Sequence, residues 1–416
     1  MLNNTYDDSA ATECSQMIGR VLGRLRTRLS MDFGFVSEFQ GGNRVFRYTD
    51  GFIQGFVPGA ADSLSDSFCK LVIEGIIPPL MTDASKDLVA RSLPDTARLP
   101  IGAHLSVPIR LSSGALFGTL CCFSHLPRSE IGDGDLALMH LTADIIADLL
   151  QADDVKRTDY LEIEKAVLAI LSQRSIEMVF QPIFRLSDQR TIGFEALSRF
   201  PGAPARTPDL WFADAESVGL GVQMEFLAVE EAMAGFLRLP QPSSVSLNLS
   251  PASIASQRFA TFFEALPLRH VIVEVTEHAA IESYAELQAA LAPFRARGLK
   301  LAIDDVGAGY SSFRHVLDLA PDRIKLDVSL TRHVDRDPGR QALASAIALY
   351  GRRMGCETVA EGVETEAELA TLTAAGVTKV QGYLISRPLP LHVARTLNLD
   401  GRPRPGMNVS AVSLAG

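Results

Sequence analysis

The chain has 416 residues and a formal net charge of −10 at neutral pH, with 47% hydrophobic and 21% charged residues. This composition is typical of a globular protein long enough for two or three domains, and it excludes a disordered or fibrous chain. The acidic balance argues against binding of polymeric nucleic acid through a basic face. A small anionic ligand remains compatible with it, provided that cations offset the repulsion.

Neither a membrane span nor a disulfide framework is expected. The apolar stretch at residues 135–150 is interrupted by aspartates, and the polar N-terminus lacks the pattern of a secretory signal. Five cysteines, an odd number without CxxC spacing, indicate reduced thiols. We therefore expect a cytoplasmic protein.

Residues 1–150 combine helices with short strands. Apolar residues at helical spacing predict a helix over residues 14–29. Two strand–turn–strand patterns follow, one around the Gly-Gly-Asn turn at 41–43 and one around the Ser-Ser-Gly turn at 112–114. A helical stretch at 68–74 lies between them, and a further helix closes the segment. An antiparallel sheet with flanking helices is an α+β domain.

This front segment resembles the GAF family of small-molecule sensor domains. The matching phrases are FVSEF at 35–39, residues 66–84, VPIRL with SGALFGTLCC within 107–122, and the closing helix. The resemblance implies a GAF-like sensor domain over residues 1–150 with a small-molecule ligand. The NKxxFxxxDE signature of members that bind cyclic nucleotides is absent, so the ligand stays unknown.

Several residues of this segment have two interpretations. Cys69 either holds a tetrapyrrole or reports redox state, or it is a small buried hydrophobe. The histidines are either haem ligands or ordinary core and surface residues: His104, His125 and His140.

Residues 133–173 predict a nearly continuous helix that joins two domains, with a helical linker at 151–174. Such a helix either carries a signal or pairs with a second copy, or it is a plain linker with a break near residues 153–154. The last residues, 401–416, are rich in Gly, Pro and Ser and predict a disordered tail.

Residues 175–400 alternate strands with amphipathic helices. The strand-like segments are MVFQPIF, TIGFEAL, SVSLNLS, VIVEVTE, KLAIDDV, RIKLD, ETVAEG and KVQGYLI. A short polar turn at 187–190 joins the first two, which predicts a hairpin and hence an antiparallel first strand. Eight strands with intervening helices predict an α/β fold of the TIM-like (β/α)₈ barrel type.

Polar side chains recur where these strands end. They are Glu195, Asn248, Glu274, Asp304, Asp305, Lys325, Glu361 and Gln381. Strand ends meet at one face of a barrel, where active sites are built. Several carboxylates together need a compensating cation, and an all-oxygen set favours Mg²⁺ or Mn²⁺. Two such ions can act on a phosphodiester. Lys325 either acts on the attacking water or the phosphate, or forms a structural ion pair.

The second domain resembles the EAL family of cyclic di-GMP phosphodiesterases. Glu-Ala-Leu-Ser-Arg at 195–199 matches the EALxR signature. QPI at 181–183 precedes the signature. Further matches follow it in order: NLS (248–250), EVTE (274–277), DDVGAGYSS (304–312), IKLD (324–327), EGVE (361–364) and QGYLISRPLP (381–390). The resemblance implies hydrolysis of cyclic di-GMP to linear pGpG, and a homodimer.

The resemblance also implies roles for individual residues. Two Mg²⁺ or Mn²⁺ ions are held by Glu195, Asn248, Glu274, Asp304, Asp305 and Glu361. The catalytic group consists of Lys325, which positions the attacking water, Glu361 as a base, and Glu277, which braces the Asp-Asp loop. The substrate or its water is approached by Gln181, Leu197, Arg199 and Gln381.

One position departs from the family pattern. Where the family usually has DDFG, this chain has Val306. A smaller side chain there can loosen the loop or its coupling to a dimer contact. The metal ligands are complete, which favours an active, GAF-regulated enzyme over two alternatives: a catalytically silent cyclic di-GMP receptor acting through a protein partner, and an interaction module that binds neither nucleotide nor metal.

Overall fold

The computed structural model of the protein describes residues 6–93, 96, 99–202, 206–276, 281–307 and 312–400. The predicted tail at 401–416 and Glu277 lie outside these ranges. The chain divides into two compact units, Met1–Glu162 and Ile163–Gly416. Within the described ranges, no helix is both long and apolar enough to cross a membrane.

The first unit is α+β, as predicted. Its strands are β1 (Phe33–Gln40), β2 (Asn43–Asp50), β3 (Ala61–Ser63), β4 (Leu80–Met81), β5 (Ala103–Arg110) and β6 (Leu116–Ser124), in the order β3-β2-β1-β6-β5-β4 with antiparallel pairing. Its helices are α1 (Tyr6–Arg28), α2 (Phe68–Ile73) and the first part of α3 (Asp133–Gln173).

The predicted hairpins are both present. Gln40 pairs with Asn43 across Gly41 and Gly42, and both glycines have positive φ, at 56° and 84°. A two-residue turn of this kind matches the twist of the flanking strands, and glycine adopts it without strain. The helix predicted at 133–173 is continuous as α3, so the alternative of a break near 153–154 is wrong.

Alternation along the strands gives the sheet two apolar faces. In β6, Leu120 and Cys122 face the cluster that includes Leu22 of α1 and Met139 of α3. The opposite face is a second cluster, made largely of phenylalanines together with α2: Phe33, Phe35, Phe46, Phe68, Cys69, Cys121 and Phe123. Side chains two residues apart share a face, so one strand serves both clusters.

The second unit contains a closed barrel of eight strands. They are β7 (Glu177–Arg185), β8 (Arg190–Arg199), β9 (Ser244–Asn248), β10 (Val271–Thr276), β11 (Lys300–Val306), β12 (Arg323–Leu326), β13 (Glu357–Ala360) and β14 (Lys379–Val380). Strand β7 is antiparallel to both neighbours, β8 and β14, and the pairing with β14 closes the barrel. The eight strand segments and the antiparallel first strand were predicted correctly.

Helices surround the barrel. They are α4 (Pro208–Ser217), α5 (Gly221–Phe236), α6 (Pro251–Ala255), α7 (Gln257–Glu264), α8 (Tyr284–Ala296), α9 (Ser312–Leu319), α10 (Val328–Thr331), α11 (Pro338–Met354), α12 (Glu366–Ala375) and α13 (Leu391–Ala394). A short strand, β15 (Leu389–Pro390), adds to β7 from outside the closed set. The strands are apolar on both faces because helices cover the outside.

Candidate active site

The polar residues predicted at the strand ends do converge at one mouth of the barrel. Parallel pairing sets their height along the barrel axis. Glu274 of β10 lies opposite Asn248 of β9, and Thr276 lies opposite Asp304 of β11. Glu195 of β8 pairs across the hairpin with Gln181 of β7. A shared register at the carboxyl ends therefore brings side chains from separate segments together.

Lys325 is the centre of this group. Its side chain is 1% exposed, and its Nζ lies 3.3 Å from Glu195 Oε2, 2.7 Å from Glu274 Oε2, 2.9 Å from Asp304 Oδ2 and 2.6 Å from Glu361 Oε1. One ammonium thus contacts four carboxylates. Burial would lower the pKa of Lys325, but these charges raise it well above its usual value.

A β-bulge presents the two adjacent aspartates to the same site. Asp304 and Asp305 lie between paired positions 303 and 306 of β11, where the register with β12 shifts, and they face the single residue Lys325 of the partner strand. Asp305 has a φ of +57°, in the left-handed region that aspartate tolerates better than most residues. Side chains of successive residues point to opposite faces in a regular strand, so the bulge is what lets both carboxylates reach the mouth.

The carboxylates form two overlapping groups that suit a cation. Ligand oxygens of Glu195, Glu274 and Asp304 lie within 4.8 Å of one another, and so do those of Asp304, Asp305 and Glu361. Asp304 belongs to both groups. Two triads that share one carboxylate are the arrangement expected of ligands around a pair of neighbouring metal ions.

The charge of Lys325 does not compensate the whole cluster. Burial, with the repulsion of Glu195 and Asp304, raises the pKa of Glu274 to about 7 even though Lys325 opposes it. Burial likewise raises the pKa of Asp304 and Glu361. Glu274 Oε1 is buried without a hydrogen-bond partner among the described residues. A buried carboxylate oxygen with no donor is costly unless a cation or water meets it, and the oxygen donors present fit a hard divalent ion.

Amide side chains orient Glu195. Asn248 Nδ2 donates to Glu195 Oε1 at 3.2 Å, and Gln381 Nε2 donates to Glu195 Oε2 at 2.6 Å and to Gln181 Oε1 at 3.0 Å. Gln181 Nε2 in turn donates to the carbonyl of Ser386 at 3.1 Å. Burial would raise the pKa of Glu195, but Lys325 and these donors lower it. Glu195 is therefore held as a charged carboxylate in a fixed orientation.

A cavity of about 360 Å³ adjoins the cluster. Leu197 and Arg199 line it together with Asn248, Phe212 and Thr276. The guanidinium of Arg199 is exposed and donates only to the neighbouring Ser198 carbonyl among its described hydrogen bonds, at 2.7 Å. Both predicted substrate residues on this strand thus share a cavity wall with a predicted metal ligand.

Val306 is fully buried at the end of β11 and packs in the barrel core, opposite Leu326. The departure from the family pattern therefore falls inside the core, directly after the bulge. Residues 308–311 of the following loop, like Glu277, lie outside the described ranges.

Two carboxylates near the site were missed in the sequence. Glu225 of α5 accepts hydrogen bonds from the Ser250 N–H at 2.9 Å and the Ser250 Oγ at 3.0 Å, next to Asn248. Glu368 accepts from three backbone N–H groups around the loop that follows Glu361. The signal for Glu368 was present, because Thr365-x-x-Glu368 is a capping box. Glu225 lies on an ordinary helix, and no sequence pattern distinguishes it.

The fold and the site define a TIM-like barrel with a cluster of potential metal ligands at the carboxyl ends of its strands. The profile of the EAL domain family matches residues 162–388, more than half of the 416 residues. The chain belongs to this family.

Two curated relatives match about half of this chain. Over 233 residues the chain is 33% identical to the bifunctional diguanylate cyclase/cyclic di-GMP phosphodiesterase MucR of Pseudomonas aeruginosa, and over 230 residues it is 32% identical to the probable cyclic di-GMP phosphodiesterase PdeD of Escherichia coli. Each match covers 53% of this chain, but 34% of MucR and 43% of PdeD. The chain thus matches less than half the length of these relatives.

Solved structures agree with the barrel. The structure named "PaMucR Phosphodiesterase, c-di-GMP complex" is 31% identical with a TM-score of 0.50, covering 56% of this chain and 99% of that one. An EAL domain protein from Listeria monocytogenes is 26% identical with a TM-score of 0.50, covering 55% and 95%. In both cases the shared part is about half of this chain.

Proposed function

We propose that this chain hydrolyses one phosphodiester bond of cyclic di-GMP to give linear pGpG, in a reaction that depends on divalent cations. The observation that carries the proposal is the pair of carboxylate triads that share Asp304 at one mouth of the barrel. The activities that the names of two relatives state support the choice of substrate.

The proposed cofactor is a pair of Mg²⁺ or Mn²⁺ ions. Their ligands would be Glu195, Asn248, Glu274, Asp304, Asp305 and Glu361. The all-oxygen donor set and the unpaired Glu274 Oε1 support hard divalent ions. When bound, such ions supply positive charge to the phosphoryl oxygens and acidify the attacking water.

Lys325 is proposed to orient the attacking water, and Glu361 is proposed to accept its proton. Lys325 Nζ is a fixed donor that can orient a water or donate a hydrogen bond to a phosphate oxygen. Glu361, 2.6 Å from that ammonium, is less buried than the other three carboxylates, and it is the group that we propose accepts the proton. Glu277 is proposed to brace the Asp-Asp loop.

The substrate contacts follow from the adjoining cavity. Arg199 offers a planar fork suited to paired hydrogen bonds with a phosphate, and Leu197 supplies an apolar wall. Gln181 and Gln381, which reach Glu195 through one chain of hydrogen bonds, are proposed to approach the substrate or its water.

The first unit is proposed to be a GAF sensor that regulates the barrel through an unknown small molecule. The six-stranded antiparallel sheet between helices supports this assignment. A homodimer is proposed as well, and the exposed apolar side chains of α3, such as Leu141 and Val155, support it. A cytoplasmic location is supported by the five free cysteines.

The test is incubation of the full chain with cyclic di-GMP and Mn²⁺, with chromatography of the products. Linear pGpG is expected, and Glu195→Ala should lower the rate by about 100-fold or more because a metal ligand and its hydrogen-bond network are lost. Glu264→Ala, an exposed carboxylate on α7, is the matched control and should leave the rate unchanged. Tight binding without turnover would point to a silent receptor, and no binding at all to an interaction module.

A further inference from the structure

The phenylalanine-rich face of the first unit encloses a small polar cluster. Its members come from β1, β2, α2, β5 and β6, and each is at most 2% exposed: Ser37, Arg44, Cys69, Ser106, Thr119 and Cys121. Phenylalanines and other apolar side chains surround it. Polar groups in such a place need specific partners, since burial without hydrogen bonds is unfavourable.

The partners converge on two sulfur atoms. Cys69 Sγ and Cys121 Sγ lie 3.2 Å apart, although 52 positions separate them in the sequence. Ser106 Oγ lies 3.0 Å from Cys121 Sγ, and Thr119 Oγ1 accepts from Cys121 Sγ at 3.3 Å. Two thiols, one from α2 and one from β6, are thus in direct contact on one buried face of the sheet.

The positively charged guanidinium of Arg44 lies beside one of the two sulfurs. Arg44 Nε and Nη2 donate to the two oxygens of Asp62 at 2.9 and 2.6 Å, which fixes the plane of the guanidinium. Its Nη1 then donates to Cys69 Sγ at 3.4 Å. Because Asp62 fixes the guanidinium, Arg44 Nη1 is held at hydrogen-bonding distance from Cys69 Sγ.

The two thiols consequently differ in acidity. Burial would raise the pKa of Cys69, but the hydrogen bond with Cys121 and the charge of Arg44 lower it to about 6. Burial and the neighbouring Cys69 raise the pKa of Cys121 well above its usual value. Cys69 is therefore the more acidic thiol of the pair and Cys121 the less acidic one, which matches the roles of an attacking and a resolving cysteine.

We propose that Cys69 and Cys121 form a reversible redox pair that closes to a disulfide when a hydroperoxide reaches the first unit. The Cys69 thiolate attacks one peroxide oxygen, the O–O bond breaks, and the leaving oxygen takes up a proton to depart as water or alcohol. The Cys121 sulfur then attacks the sulfenic sulfur of Cys69, its proton passes to the departing hydroxyl, and water leaves. Two sulfurs are oxidised by one electron each, and the peroxide takes up both electrons.

The geometry favours closure over other fates of these thiols. A disulfide bond is about 2.05 Å long, so the sulfurs need to approach by only about 1.1 Å from 3.2 Å. Hydrogen peroxide is little larger than water, so local opening of the buried face is sufficient for access. The bond would join α2 to the centre of the sheet and leave Arg44 Nη1 facing a neutral disulfide sulfur in place of the Cys69 thiol, while the pairing of Arg44 with Asp62 is kept. The first unit would thereby report oxidation by a change at its own buried face.

The test is exposure of the reduced full chain to hydrogen peroxide, followed by alkylation of remaining thiols and mass spectrometry of its peptides. The expected product is a cross-linked peptide pair containing Cys69 and Cys121, with three of the five cysteines alkylated and full recovery of the other two by a dithiol reductant. Oxidation that starts at Cys14 or Cys356, or that leaves Cys69 and Cys121 alkylatable, would overturn the proposal.

Single variants separate this pair from its neighbour. Cys122 faces the opposite side of the sheet, so Cys122→Ser should form the same cross-link at the same rate. In Cys121→Ser, peroxide should instead oxidise Cys69 further, to the sulfinic acid, because the resolving thiol is lost. Arg44→Met should slow the reaction of Cys69 by about ten-fold near neutral pH. An equal effect of Cys122→Ser and Cys121→Ser on the cross-link would contradict the assignment.

Discussion

At the scale of single residues, the site is governed by one buried ammonium among four carboxylates. Lys325 contacts all four within 3.3 Å, yet the pKa values of Glu274, Asp304 and Glu361 stay raised, with burial as the largest cause. Lys325 thus holds the carboxylates together but leaves negative charge for cations to compensate. In the proposed mechanism the same residue stabilises the metal-free site and orients groups in the metal-bound site.

Replacing Lys325 by methionine separates these two contributions. In a chelator, Lys325→Met should lower the free energy of unfolding of the barrel by about 3 kcal/mol, since it leaves buried carboxylates without their counter-charge. Mn²⁺ should restore stability more in the variant than in the wild type. Urea denaturation with and without Mn²⁺ measures both effects.

The matched control is Lys165→Met, at an exposed position of α3. It should change the unfolding free energy by no more than about 0.5 kcal/mol. Equal stability of Lys325→Met and the wild type in chelator would show that the ion pairs contribute nothing to the metal-free barrel.

The sequence predicts which residues meet at the site better than how they meet. Glu195, Glu274 and Glu361 follow from their position at strand ends, because parallel strands align those ends. The bulge at Asp304 and Asp305 could not be derived, since it depends on the register with β12. The hydrogen bonds of Gln381 to Glu195 and Gln181 also depend on barrel closure, which brings positions some 200 residues apart into contact.

At the scale of elements, the loop after β13 depends on the first turn of α12. Glu368 is 3% exposed and accepts hydrogen bonds from the N–H groups of His333, Glu364 and Thr365 at 2.9, 3.0 and 3.1 Å. Thr365 accepts from the Glu368 N–H in return, completing a capping box. The box anchors the loop that starts at Glu361.

We expect Glu368→Ala to lower both stability and turnover. Three backbone N–H donors would lose their acceptor, which should cost about 1–3 kcal/mol. The freed loop should reduce kcat more than it raises KM for cyclic di-GMP, because Glu361 loses its fixed position. Steady-state kinetics and thermal unfolding measure these effects. Thr371→Ala on the same helix is the control, and an identical kcat in both variants would refute the positioning role.

A charge cluster at the other end of the barrel predicts a pH dependence. Glu357 begins β13 and pairs with Lys379 and with Arg323, whose Nη2 lies 3.1 Å away. Burial would raise the pKa of Glu357, but the charges of Lys379 and Arg323 lower it to about 2. A carboxyl whose pKa is lower in the folded state contributes stability above its unfolded pKa, near 4.5, and that contribution is lost as the pH falls toward 2.

The variant Glu357→Gln should therefore have a flatter acid limb of stability. Since the side chain is 37% exposed, solvent screening reduces the contribution to an order of 1 kcal/mol. Thermal unfolding of the variant and the wild type at a series of pH values from 7 to 3 measures the difference, which should be largest at pH 7 and shrink on acidification. A difference that is constant over the series would contradict the assigned pKa.

Helices and strands can be predicted from sequence where the hydrophobic pattern extends over many residues. Seven barrel strands and α3 were predictable because runs of apolar residues or helical spacing extend over several residues. Strand β14 was predicted from the longer segment KVQGYLI, of which only Lys379–Val380 is a strand. The short strands β3, β4 and β15, of two or three residues, were not, since pairing with a longer neighbour defines them and composition does not.

At the scale of the whole molecule, the two units have separate cores. Deleting residues 1–150 should therefore leave the barrel folded, and cyclic di-GMP turnover should change by about ten-fold or less in either direction, as expected of a regulatory unit. Comparison of steady-state rates for the full and the shortened chain measures this effect. Complete loss of turnover by a folded, metal-binding barrel would show that the first unit belongs to the catalytic assembly.

In the proposed enzyme, side chains from separate strands of the barrel surround divalent cations. Anomalous diffraction at the manganese edge, from crystals of the chain grown with Mn²⁺, locates such ions and so tests this proposal. We predict two peaks at the barrel mouth, with Asp304 as a ligand of both, Glu195 and Glu274 around one, and Asp305 and Glu361 around the other. A mouth without anomalous density at saturating Mn²⁺, or peaks elsewhere alone, would contradict it.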